Sequence, residues 1–357
     1  MFRIRYICLT RYSFINMGIK KTLLEDIAKE LNVSKTLVSM VINGKGDAYG
    51  ISKKTQEKVL SKAGEMEYTP NVFARALRTG KSNLIGLLVA DISNPFYSNI
   101  AKHVEKELAA KGYNLMICST DENVEREEKL ISLFAEQHMI DGLIIATTNT
   151  SGEYFKKERL RNFPIVFIDR YLPDIESNYV VANNYQGSYE LTDLLIHKGC
   201  KNILALNITP SHISSLTERI KGYKDALKKY DVPFKDENLL EISFNNIQND
   251  VREKLLKRLK QSPKIDAIYT MNNHLATACL NVFNEIGYDA KKEGVLFASF
   301  DDISLFDFVK PNIISVSQPV EQIGVEAANL ALQIIDNKNG DAGFKKVVLP
   351  TSIISRN

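Results

Sequence analysis

The chain has 357 residues, 44% hydrophobic and 25% charged, the ordinary composition of a soluble globular protein of two or three domains. No run approaches the ~18 apolar residues of a membrane span. The four cysteines (Cys8, Cys118, Cys200, Cys279) and five histidines (His103, His138, His197, His212, His274) are scattered. That spacing excludes a zinc ribbon, a disulfide-stapled scaffold and a sequence-local metal site, and it fits a reducing cytoplasm. The net charge of +3 is uneven: residues 17–81 carry 12 Lys/Arg against 7 Asp/Glu, whereas residues 82–357 carry 31 against 36. A basic head on an acidic body points to a polyanion at the head.

The first sixteen residues, MFRIRYICLTRYSFIN, mix apolar and basic side chains. Arg3, Arg5 and Arg11 interrupt the apolar core that a signal peptide needs, so secretion is not expected. Regular patterning begins after Met17. Residues 1–16 read as a non-native or disordered extension, with Met17 the expected start.

Next, Thr22-Leu23-Leu24-Glu25 has the form of a capping box, with Thr22 as the cap. Leu24, Ile27, Ala28 and Leu31 follow at the spacing of one helical stripe. Asn32 suits a left-handed exit, and Ser34 is placed to cap a second helix running from Lys35 to Asn43 and ended by Gly44. Val33, Val38, Val41 and Ile42 are expected to face the first helix. Lys35, Thr36, Ser39 and Met40 are left on the outer face. A third helix from Ser52 turns Val59, Leu60, Ala63 and Met66 inward and leaves Lys53, Lys54, Lys58 and Lys62 for phosphates. Two short helices joined by a tight turn, the second with a polar face, form a helix-turn-helix whose second helix suits the major groove. After Pro70 and Asn71, the stretch Ala74-Arg75-Ala76-Leu77-Arg78 is a helix too short to be stable alone.

The stretch DIAKELNVSKTLVSMVING, with EYTPN and ARALRTGKS after it, resembles the head of LacI/GalR-family transcriptional repressors. The resemblance implies a helix-turn-helix domain over 17–67 and a hinge helix over 68–82 that folds on operator DNA. It implies DNA contacts by Thr22, Ser34, Lys35, Thr36, Ser39, Met40, Asn43, Asn71, Ala74, Arg75, Leu77 and Arg78. A leucine matching Leu77 wedges between base pairs in that family, at a cost of unstacking offset by contacts on bent DNA. The recognition helix departs from the common Thr-Val-Ser-Arg: Leu37 has no hydroxyl, and Met40 lacks the bidentate guanine contact of arginine. The loop GKGDAYGIS is also longer than usual.

From Leu84 the pattern alternates strand and helix. LIGLLVAD, YNLMICST, GLIIATT and PIVFID are four strands; NILALNIT, LEISF, AIYTM and VLFASFDD are four more. Alternation implies parallel sheets covered on both faces, and two runs of four imply two similar subdomains. Ligands of such sheets bind beyond the carboxyl ends of the strands. The residues there (Asp91, Asn94, Phe96, Tyr97, Asn149, Asp169, Arg170, Asn272, Asp301, Asp302) mix the planar and forked polar groups that suit a sugar. No GxSxG, P-loop or GxGxxG stands at a strand-to-helix turn, Asp301 and Asp302 point to opposite sides, and Cys118 reads as a buried small hydrophobe. No catalysis, cofactor or metal is expected.

The body, through ADISNPFYSNI, KGYNLMICST, ERIKGYKDAL, MNNHLATA, FASFDD and SVSQPVEQIG, is similar to the periplasmic-binding-protein-like effector domain of the same family. The implied fold is an all-α helix-turn-helix head plus an α/β body of two doubly wound parallel-sheet subdomains, about 83–182 with 318–343, and 183–317 with 344–357. Asn94, Phe96, Tyr97, Asn149, Arg219, Phe244, Asn272, Asp301 and Gln318 are the implied effector residues. Asn273 and Asn183 stand where the family often has Asp. The implied protein is a cytoplasmic, homodimeric repressor that binds double-stranded operator DNA under control of a small carbohydrate, with no membrane role.

Overall fold

The computed structural model describes residues 22–69, 81–136, 139–157, 160, 162–210, 212–337 and 343–356. Residues 1–16, Met17 and the hinge positions Asn71, Ala74, Arg75, Leu77 and Arg78 lie outside the described residues. The chain divides between positions 75 and 76 into a head and a body.

In the head, α1 (Leu24–Glu30), α2 (Lys35–Ile42) and α3 (Lys53–Glu65) close over Ile27, Val38 and Val59, with Ala28, Val41 and Ala63 also buried. Ser34 caps α2, accepting from the Leu37 amide at 3.1 Å, and Asn32 leaves α1 with φ 52°. Two expectations are corrected. The helix α1 begins one residue later than the capping box implied: Leu23 occupies the cap, and its N–H donates to Asp26 at 2.8 Å. Thr22 instead donates its hydroxyl to the Met66 carbonyl at 2.8 Å, tying the start of α1 to the end of α3. Leu60 is 54% exposed rather than inward, because Val59 and Ala63 already define the buried stripe of α3.

Among the described residues the body contains two six-stranded sheets. The first holds β1 (Leu84–Val89), β2 (Asn114–Ser119), β3 (Gly142–Ile145), β4 (Ile165–Ile168), β5 (Asn178–Ala182) and β11 (Lys346–Leu349), in the order β11-β5-β4-β3-β1-β2, all parallel. The second holds β6 (Ile203–Thr209), β7 (Leu239–Ser243), β8 (Ala267–Thr270), β9 (Leu296–Phe300), β10 (Ile313–Ser317) and β12 (Ser352–Ile354), in the order β12-β10-β9-β8-β6-β7. Only the β10–β12 pair in it is antiparallel. The sequence pattern missed β5, β10, β11 and β12. The edge strands β11 and β12 are half-exposed, so they lack the continuous apolar run that marks a buried strand. The pairing of β11 with β5 also places residues 346–349 in the first subdomain, not the second as expected.

Helices α4 (Pro95–Ala109) and α5 (Val124–Ile131) cover the first sheet together with α10 (Val320–Asp336). Helices α6 (Asn184–His197), α7 (Ser214–Lys229), α8 (Ile247–Leu259) and α9 (Asn273–Ile286) cover the second. Cys118 lies on the edge strand β2 and is half-buried rather than enclosed. Among the described residues no helix is long and apolar enough to cross a membrane.

Helices α6 and α7 pack backbone against backbone at Gly222. A Cβ on Gly222 would lie 2.3 Å from the Tyr185 carbonyl oxygen and 2.9 Å from the Tyr189 nitrogen, both backbone atoms that cannot swing away. Gly222→Ala is therefore expected to force the helices apart and to destabilise the body by roughly 1–3 kcal/mol, the usual range for overpacking, read as a lower urea midpoint of the body's unfolding transition.

Candidate nucleic-acid interface and ligand cleft

On the head, Lys35, Thr36 and Asn43 are exposed on α2, and Ser39 and Met40 are half-buried beside them. This is the polar outer face that the sequence indicated. Two details were not legible. Leu37 is half-buried against the head core, so its aliphatic side chain is a packing residue. Asn43 folds its amide back on α2, donating to the Ser39 carbonyl at 2.6 Å. The long loop after α2 is held by Asp47, which accepts from Lys53 at 2.7 Å and from Gln56 at 2.8 Å.

In the body, the carboxyl ends of both sheets meet at a cavity of about 50 Å³. It is lined by Asn94, Phe96, Tyr97, Arg219, Phe244, Asn272, Asp301 and Gln318, eight of the nine expected effector residues, and by Asp91, Asp169 and Arg170. Its volume is far below the ~300 Å³ at the lower end of ordinary ligand pockets. Asn149 is the exception. It is buried outside this lining, and its Nδ2 donates to Glu127 at 2.7 Å. Glu127 also accepts from the Thr147 hydroxyl at 2.5 Å and the Thr148 amide at 2.6 Å. Burial pushes its carboxyl up, against those three donors. Asn149 is thus a scaffold residue. Asp302 likewise turns away, onto Ser315 at 2.5 Å and Arg356 at 2.8 Å.

Arg170 organises the first lobe's side of the cleft. It forks onto Glu122 with two bonds of 2.9 Å, gives Nε to Asp169 at 3.2 Å and Nη2 to the Tyr97 hydroxyl at 2.9 Å, and reaches the Thr147 carbonyl at 3.3 Å. Tyr97 in turn donates to Asp169 at 2.9 Å. Burial alone disfavours the guanidinium, but Glu122, Tyr97 and Asp169 together hold its pKa well above the usual value; burial holds the Tyr97 hydroxyl well up as well. Glu122, Ser215 and His274, which also line the cleft, were missed by sequence reasoning; the only signal for Glu122 was an acidic loop just past a strand end.

Arg219, on α7, donates Nε to Asn184 at 2.8 Å and Nη1 to the Met271 carbonyl at 2.7 Å, with its guanidinium 3.8 Å from the centre of the Phe300 ring. Asn94 and Asn273 bond across the lobes through both amides, at 2.8 and 3.3 Å. The Tyr171 amide donates to Ser214 at 2.9 Å, and its hydroxyl donates to Glu218 at 2.9 Å. Burial raises Tyr171 to about 12 and lifts Glu218 above the usual carboxyl value.

Residues 82–354 match the periplasmic binding proteins and sugar binding domain of the LacI family, and residues 23–71 match the bacterial regulatory proteins of the lacI family. The chain belongs to the lacI family. It is a member of a family of DNA-binding transcriptional regulators, with a helix-turn-helix head and a periplasmic-binding-protein-like body. It is 32% identical over 341 residues to the HTH-type transcriptional regulator DegA of Bacillus subtilis, covering 94% of this chain and 97% of that protein. It is 29% identical over 336 residues to the ribose operon repressor of Halalkalibacterium halodurans, covering 94% and 96%. Among solved structures, a complex of the transcriptional regulator CelR with cellobiose is 25% identical, with TM-score 0.66 over 94% of this chain and 99% of that one. The lac repressor dimer bound to operator and the anti-inducer ONPF is 20% identical, with TM-score 0.79 over 94% and 98%, a likeness of fold.

The buried Arg170–Glu122 fork is open to a direct test. Glu122→Ala leaves a buried guanidinium with Asp169 as its one remaining carboxylate, and breaking a buried pair from one side typically costs about 3–5 kcal/mol. A loss near the lower end of that range is expected in chemical denaturation, with Glu122→Gln losing less because it keeps one acceptor.

Proposed function

We propose that this chain is a cytoplasmic, homodimeric repressor whose affinity for operator DNA is set by a small carbohydrate bound between the lobes of its body. The observation that carries this reading is the pairing in one chain of an exposed polar recognition face on α2 with a cleft of forked polar groups beyond the strand ends. The relatives that bear the names of a ribose operon repressor and a cellobiose-bound regulator support a sugar as the ligand.

In this reading Lys35 and Thr36, at the first turn of α2, read base edges, supported by Ser34, Ser39, Met40 and Asn43. Thr22 serves DNA binding only by holding α1 to α3, since its hydroxyl proton is already donated. The hinge residues Asn71, Ala74, Arg75, Leu77 and Arg78 act on the minor groove, with Leu77 the wedge. A dimer presents two recognition helices to the halves of a near-palindromic site. The carbohydrate acts by binding one arrangement of the lobes more tightly than the other; equal affinity for both would shift nothing. Asn94, Phe96, Tyr97, Arg219, Phe244, Asn272, Asp301 and Gln318 hold it.

The deciding experiment is fluorescence-anisotropy binding to DNA from the gene's own upstream region, at low and high salt and against a scrambled competitor. Tight, salt-sensitive binding that resists the competitor is expected, because several lysines neutralise phosphates. Binding with no sequence preference, with or without added sugars, would overturn the repressor reading. In the same assay Lys35→Ala flattens sequence preference, whereas Leu77→Ala weakens specific binding more than non-specific binding. Arg219→Ala abolishes the response to effector and spares operator binding; a variant that still responds would remove the cleft from the mechanism.

A further inference from the structure

We infer that the effector is an uncharged, hydroxyl-rich ligand and that acidic or phosphorylated sugars are rejected by the cleft. This rests on the proposal that the interlobe cavity is the effector site.

Four carboxyl groups line the cavity, those of Asp91, Glu122, Asp169 and Asp301, against two guanidiniums, those of Arg170 and Arg219. Arg170 has every nitrogen placed on an acceptor, and Arg219 is engaged through Nε and Nη1. Arg170 is forked onto Glu122 and bonded to Asp169, so its charge is neutralised within its own lobe. Arg219 is turned onto the neutral oxygens of Asn184 and Met271 and lies against the Phe300 ring. Asp91 and Asp301 are bonded to neutral donors. Asp91 accepts from the Ser93 amide and hydroxyl, both at 2.8 Å. Asp301 accepts from Gln318 Nε2 at 2.6 Å and from the Asn273 amide at 3.3 Å. The cavity therefore carries an excess of negative charge; Asp169 and Asp301 are buried, where Coulomb terms are least screened, and Asp91 is half-buried.

A second observation concerns hydrogen-bond sense. Gln318 is 7% exposed, and its Oε1 is buried with no hydrogen-bond partner, because Nε2 is directed at Asp301. A buried acceptor without a donor is costly, and a ligand that brings a donor to it is rewarded by that cost. Unfilled lone pairs on Asp91 and Asp301 ask for the same thing. The wall as a whole is rich in acceptors, so it fits a ligand rich in O–H groups. A carboxylate or phosphate brings more acceptors and more negative charge, and each opposes these walls. The residue at 273 works in the same direction: an asparagine there gives Asn94 a neutral amide partner and adds no fifth carboxylate beside Asp301.

The test is a calorimetric and thermal-shift comparison of the full chain with matched ligands: ribose, glucose and cellobiose against ribose 5-phosphate, glucose 6-phosphate, glucuronate and gluconate. The expected result is stabilisation by at least one neutral sugar, with its anionic counterpart bound at least about 30-fold more weakly. Asp301→Asn should narrow that gap several-fold, since it removes one charge while keeping an acceptor for Gln318. An anionic ligand that binds as tightly as its neutral parent, and loses its binding in Arg219→Ala, would overturn this inference and leave the effector cleft standing. If no sugar of either kind stabilises the chain at millimolar concentration, the effector reading falls together with it.

Discussion

The buried guanidinium of Arg170 is the interaction on which the cleft depends. It draws together Glu122 from beyond β2, the Thr147 carbonyl from beyond β3, Asp169 from the end of β4 and Tyr97 from the first turn of α4. Loops at the ends of parallel strands have no ladder to define them. Here a single charged side chain with five donors in a fixed plane supplies that definition. The desolvation of Arg170 is offset only because the fork onto Glu122 is bidentate and the remaining donors are matched.

Polar contacts around the cleft also hold backbone conformations that would otherwise be unfavourable. Glu122, Asp169 and Asp301, three of the four cleft carboxylates, have φ of 52°, 63° and 71°. Left-handed backbone is tolerated by aspartate and is rarer for glutamate, and such residues persist where their surroundings over-determine them. Glu122 is fixed by Arg170, and Asp301 by Gln318 and the Asn273 amide. The result is a set of carboxylates that line the cleft just beyond the ends of β2, β4 and β9.

Among the described residues the two lobes meet through few direct polar contacts, as the proposed effector response requires. Asn94 and Asn273 exchange amide hydrogen bonds, and Tyr171 bonds to Ser214 and Glu218. Each lobe has its own hydrophobic core, so a change in their relative arrangement would unpack neither. Among the described residues the lobe-to-lobe hydrogen bonds are amide, hydroxyl and imidazole contacts apart from those onto the Glu218 and Asp301 carboxylates. Such bonds exchange readily for bonds to a ligand or to water, because their net worth is modest.

Much of this was legible in the sequence. The apolar stripe of α1, the Ser34 cap of α2 and the continuous apolar runs of the central strands are local patterns, set by helix period, side-chain chemistry and burial on both faces. They determine a helix-turn-helix head and a parallel-sheet body, and the strand-end rule then marks most of the cleft. The edge strands were not legible, because their half-exposed residues carry no distinctive pattern. Nor were the partners of long-range polar side chains. Only the tertiary structure decided that Asn149 serves Glu127, that Thr22 serves Met66, that Leu37 is a core residue and that Glu122 belongs to the cleft. For the polar residues among these the physical reason is the same. A hydrophobic pattern records which side a residue faces, whereas a hydrogen bond depends on which distant loop arrives opposite it, and that is fixed only when the strands have been ordered in space.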